Sequence, residues 1–90
     1  METPIEIFNN THIELTKIVK RKDGYYFPKF YFCIAEIKTI EAARYGDNLK
    51  CTKIEFYDST FIKVTENYKH IRDTHKKWAV CLIIENQNGQ

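Results

Sequence analysis

Ninety residues with 14 basic and 12 acidic side chains carry a formal net charge of +2, too mild a bias to mark a nucleic-acid binder by bulk charge. That length fits one small domain over residues 1–90, and a hydrophobic share of 43% with 14% aromatics supplies a core without disulfide or metal staples. The three cysteines, Cys33, Cys51 and Cys81, are odd in number, far apart and free of any CxxC spacing. They read as buried packing thiols of a reducing compartment. No basic segment followed by an apolar stretch opens the chain, and no apolar run is long enough to span a bilayer, so a cytoplasmic protein without a membrane partner is expected.

In chain order, residues 1–4 are small or polar and are expected to be loose. Ile13, Leu15 and Val19 then mark one face of a half-buried strand. Lys22-Asp23-Gly24 predicts a hairpin turn, with Asp-Gly at its centre. The returning strand passes through Tyr25-Tyr26-Phe27 and resumes at Phe30–Cys33. Pro28 has no amide hydrogen to give a ladder, which places this strand at an edge or breaks it with a bulge.

Between Ile34 and Arg44 the Ala, Glu, Lys and Arg content, with Ile34, Ile37 and Ile40 on one side, predicts a helix. Tyr45-Gly46-Asp47-Asn48 ends it as a cap or a loop. Strand character returns over Leu49–Tyr57 and, after an Asp58-Ser59 turn, over Phe61–Val64. Thr65 is placed to cap a short helix near 66–75 that includes Tyr68 and Ile71. The run Trp78–Ile84 is apolar on both faces and reads as a strand that is central in a sheet or covered by a second copy. Residues 86–90 are again expected to be loose. The sum is a mainly β (α+β) domain, an antiparallel meander of five to six strands with one short helix.

Several of these pieces together resemble the FlbD-like family of small β-meander proteins from flagellar operons. They are Ile13-Glu14-Leu15-Thr16, Ile37 with Ile40-Glu41, Thr52-Lys53-Ile54, and Val64-Thr65-Glu66 followed by Ile71. The resemblance covers roughly residues 12 to 72. It implies that Ile37 to Arg44 is a strand, against the helix expected from propensity, so both readings of 34–44 stand at this point. The chain departs from that family by Asp58-Ser59-Thr60 in place of a hairpin glycine, by a longer connection at Tyr45–Asn48, and by the added apolar run from Trp78. DNA-binding LytTR-type β domains offer a second, looser resemblance.

The segment Lys17–Phe32 interleaves cations with rings. Lys20, Arg21, Lys22 and Lys29 suit phosphates, while Tyr25, Tyr26 and Tyr31 suit stacking on bases. The same pattern also describes a strand edge protected by lysines. A second basic cluster, Lys69, His70, Arg72, Lys76 and Lys77, has the sign that a helix C-terminus favours. His70 and His75 are five apart and do not stack on one helical face, so no metal is expected, nor any cofactor. No spacing couples a nucleophile to a base, which points away from an enzyme. The favoured reading is a small non-enzymatic interaction protein, an adaptor or inhibitor of bacterial or phage origin. It would self-associate through Trp78, Val80, Leu82 and Ile84, or bind another protein or a small anionic ligand. Nucleic-acid or nucleotide binding through the basic-aromatic hairpin is the alternative.

Overall fold

The computed structural model describes residues 5–46 and 49–88, with side-chain surroundings as far as Cys81. Among the described residues, eight strands precede one helix: β1 (Ile7–Phe8), β2 (His12–Thr16), β3 (Val19–Arg21), β4 (Gly24–Tyr26), β5 (Lys29–Cys33), β6 (Ile37–Tyr45), β7 (Leu49–Phe56), β8 (Phe61–Val64) and α1 (Tyr68–Asn88). The class is mainly β with one helix. The single meander of five to six strands is replaced by three antiparallel sheets of order β1-β2-β5, β3-β4 and β6-β7-β8.

Register shows how the pieces connect. Thr16 faces Lys29 in the β2-β5 ladder, and Val19 faces Tyr26 in the β3-β4 ladder. The steps are three residues forward on one strand and three back on the other, so both ladders belong to one long hairpin. Lys17 N–H donates to Pro28 O within the gap (2.9 Å). Pro28 returns no hydrogen, which is why the ladder breaks there. The turn at the tip is Lys22-Asp23 rather than Asp23-Gly24: Arg21 pairs with Gly24, and the positive φ falls on Gly24 (138°).

The interruption lets the first strand change partners. Lys17 bridges to Val64, Ile18 N–H donates to Lys63 O, and Thr65 N–H donates to Thr16 O (2.9 Å each). The β6-β7-β8 sheet therefore continues onto residues 16–18, and the outer sheets share one core. Ile13, Leu15, Phe32, Ile34, Ile54, Phe56, Ile62, Val64 and Ile71 are all buried in it. Each such side chain contributes about 1.5–3 kcal/mol when fully buried.

Residues 34–44 are a 3-10 turn at Ile34–Glu36 followed by β6. The helix expected from propensity does not form, because Ile37 and Ile40 gain more by pairing with Phe56 and Ile54 on the core face of β7.

The C-terminal helix corrects three expectations. Its N-cap is Asn67, whose Oδ1 accepts from Lys69 N–H (2.8 Å) and His70 N–H (3.4 Å), rather than Thr65. It does not stop near residue 75. Nor is Trp78–Ile84 a strand, since α1 runs on to Asn88 and takes in part of the tail expected to be loose. Once a capped helix has nucleated and neither Gly nor Pro interrupts it, each added residue gains a hydrogen bond for little further ordering cost. Ile71 and Trp78, seven apart, share the face that packs on the core, and Trp78 Nε1 donates to Asn10 O (2.7 Å). The expectation for residues 1–4, 89 and 90 lies outside the described residues. No described helix is long and apolar enough to cross a membrane.

Glu66 ties these parts together. Its carboxylate accepts from Thr16 N–H (2.8 and 3.0 Å) and Thr16 Oγ1 (2.8 Å), and its carbonyl accepts from the buried Thr52 Oγ1 (2.7 Å). Glu66→Gln replaces one acceptor oxygen with a donor facing donors, and it is expected to lower unfolding free energy by about 1–3 kcal/mol. Urea denaturation checks this against Glu14→Gln on the exposed face of β2, expected to change stability by under about 0.5 kcal/mol. Equal effects of the two substitutions would remove the role given to Glu66.

Candidate functional site: the end where two hairpin tips meet

The long hairpin sorts the basic and aromatic residues onto different surfaces. Lys20 and Tyr25 are cross-strand partners on one face, and Val19 and Tyr26 are partners on the other. Arg21, two residues from Val19, shares the Tyr26 face. Its guanidinium lies 5.0 Å from the Tyr26 ring centroid. Asp23 is the only acidic residue between Lys17 and Phe32, and it accepts a hydrogen bond from the Tyr26 hydroxyl (2.6 Å). That bond raises the Tyr26 pKa. Tyr25 and Tyr26 are each 41% exposed, and Lys20, Arg21 and Lys22 are exposed.

Lys29 and Tyr31 lie elsewhere, on the outer face of the β1-β2-β5 sheet. Lys29 Nζ donates to Thr16 Oγ1 (2.9 Å) and so joins the Glu66 network. Tyr31 stacks on His12 at 5.0 Å between centroids, with Phe8 tilted against it at 5.8 Å. These two residues are therefore separate from the hairpin tip, although sequence proximity grouped them with it.

The tip does not stand alone. Tyr25 meets Tyr45 edge to face at 5.5 Å, so the β3-β4 tip packs on the tip of the β6-β7 hairpin. Lys63 lies over the same Tyr45 ring (5.3 Å) and donates to Arg44 O (2.8 Å). Gly46 permits the approach: its φ is +67°, and a Cβ there would sit 3.3 Å from the Tyr25 hydroxyl. The basic β3-β4 tip thus adjoins Lys63 of β8 through Tyr45, while Arg44 and Lys50 lie on the other face of the β6-β7 hairpin. Sequence reading missed these three residues, because nothing in their local spacing reveals which loop Tyr45 will meet.

The second basic cluster lies in the first half of α1, not in its last turn. Lys69, Arg72, Lys76 and Lys77 are exposed, and His70 is half-buried. Arg72 donates to the Tyr68 hydroxyl (2.7 Å). Nearby, burial lowers the pKa of His75, whose ring lies 5.7 Å from Trp78.

Of the residues expected to form a self-association strand, Trp78 is committed to Asn10, Val80 is exposed on a helix, and the side chains of Leu82 and Ile84 lie outside the described residues. The cysteines divide three ways. Cys51 is buried, Cys33 half-buried and Cys81 exposed, so packing describes Cys51 best. Burial raises its thiol pKa, against the opposing pull of Lys63.

Comparison with protein-family models, curated proteins and solved structures finds no match.

Tyr25→Ala removes the ring that joins the tips. It is expected to cost about 1 kcal/mol, of the order of an aromatic pair, and to speed amide hydrogen exchange over Lys20–Tyr26. Unchanged exchange there would show that the tips are held together by something else.

Proposed function

We propose that the chain is a small non-enzymatic binding protein whose contact surface is the end where its two hairpin tips meet. Its partner there is single-stranded nucleic acid. The observation that carries this reading is the Tyr25–Tyr45 contact, which sets the exposed Lys20-Arg21-Lys22 tip beside the β6-β7 tip and Lys63 of β8. Asp23, the only acid in the first tip, is bonded to Tyr26. Cations so placed suit a phosphate backbone, and half-exposed tyrosines beside them suit sequence-tolerant stacking.

A fluorescent oligonucleotide titrated at two salt concentrations tests this. For four phosphate contacts on a single strand, affinity should fall roughly 50-fold between about 50 and 200 mM salt. Charge reversal at Lys20, Arg21 and Lys22 should abolish the signal. The same reversal at Lys69, Lys76 and Lys77 on α1 should leave most of it. Absence of binding at the lower salt, or equal losses from the two triple variants, rejects the reading.

Self-association is a second reading, now through the helix rather than a strand. Val80, 51% exposed beside the exposed Cys81 on α1, supports it. Sedimentation should then show a dimer at high micromolar concentration that Val80→Asp returns to monomer; a monomer throughout removes this reading.

A further inference from the structure

The β6-β7 hairpin carries a second feature, on the face away from Tyr25. A groove of about 540 Å³ lies between its outer half and the segment leading into α1. Register explains its lining. Ile40 faces Ile54, Ala42 faces Thr52 and Arg44 faces Lys50, so the side of the hairpin that builds the core continues outward past its last buried residue. Ala42 leaves a shallow floor, Arg44 and Lys50 stand at the outer rim, and Glu66, Asn67 and Tyr68 form the opposite wall.

Two positive side chains facing each other across a ladder destabilise it. The same sheet has another such pair, Lys53 and Lys63, and relieves it: Lys53 lies over the Phe61 ring (4.6 Å), while Lys63 reaches Tyr45 and Arg44 O. Elsewhere in the ladder Glu41 faces Lys53, which complements the charge. Among the described residues, Arg44 and Lys50 have no side-chain hydrogen bond, ion pair or ring to relieve them.

The opposite wall adds donors beside the Glu66 carboxylate. That carboxylate is held by the N–H and hydroxyl of Thr16, and Asn67 Oδ1 accepts from the first amides of α1, which leaves the Asn67 side-chain NH₂. The Tyr68 hydroxyl accepts from Arg72, so its own hydrogen is available to a ligand.

We propose that this groove binds a small phosphomonoester, with the phosphate between Arg44 and Lys50 and the remainder over Ala42 beside Tyr68. A phosphate of charge −1.5 to −2 matches a pair of cations better than a single carboxylate does, and the groove volume lies within the range of small-molecule sites. The inference does not depend on nucleic-acid binding at the other face.

The test is a titration of the ¹⁵N-labelled full chain with glycerol phosphate, followed by amide shifts. Saturable shifts at Arg44, Lys50 and Tyr68 are expected. Arg44→Gln and Lys50→Gln should each weaken binding on the order of tenfold, as loss of a charged hydrogen bond does, while Lys20→Gln should not. Both rim variants are exposed substitutions, and unchanged shifts elsewhere in their spectra show that they are folded. Absence of saturation at millimolar ligand, binding unaffected by both rim variants, shifts confined to the Lys20–Lys22 tip, or succinate binding as tightly as glycerol phosphate would each overturn the proposal.

Discussion

One carboxylate holds the architecture in its present arrangement. Glu66 stands where the β8 strand gives way to α1, and it engages both the backbone and the hydroxyl of Thr16, fifty residues earlier. Its carbonyl holds Thr52 in the middle of the β6-β7-β8 sheet. A charged acceptor with two donors from one residue is stronger than a neutral bond, and a half-buried carboxylate deprived of them would carry a desolvation penalty. The helix start, the strand that changes sheets and the central strand of β6-β7-β8 are thereby fixed relative to one another. Lys29, joined through Thr16, extends the network to the far strand of the first sheet.

That arrangement gives the long hairpin its shape. One ladder register runs from His12–Cys33 to Arg21–Gly24, yet the side chains facing the core change along it. Near the base Ile13, Leu15 and Phe32 are buried; beyond the proline gap Ile18 is buried instead, from a position that the base alternation would place outward. Strand twist and the transfer of residues 16–18 onto β8 account for the exchange. The tip is thereby anchored on one face, through Tyr25, and open on the other, where Arg21 covers Tyr26.

Much of this was legible from residue patterns. Alternation at Ile13 and Leu15, the hairpin signal near Asp23-Gly24, the break at Pro28 and the strands over 49–56 and 61–64 all correspond to observed elements. The segment 34–44 was legible only as a conflict between local helix preference and strand pairing, and pairing prevails because β7 offers a complementary apolar face. Trp78–Ile84 was misread for the opposite reason. Apolar residues on both sides look alike in a buried strand and a helix, and the deciding facts were the upstream cap at Asn67 and the seven-residue spacing of Ile71 and Trp78. The candidate site was legible as composition and not as geometry. Its cations could be counted, but the pairing of Arg44 with Lys50 and of Tyr25 with Tyr45 depends on register and tertiary contact.

The bond from Trp78 to the carbonyl of Asn10 has a consequence for the order of folding. Asn9 and Asn10 hold left-handed backbone angles in a turn of local residues, while the indole that completes its surroundings lies sixty-eight residues further along the chain. Until that residue arrives, the Asn10 carbonyl has only water to bond, and the core beside it lacks the cover that α1 provides. A turn that is local in sequence thus reaches its full packing only after a contact of high sequence separation has formed, which ties it to the slow part of folding.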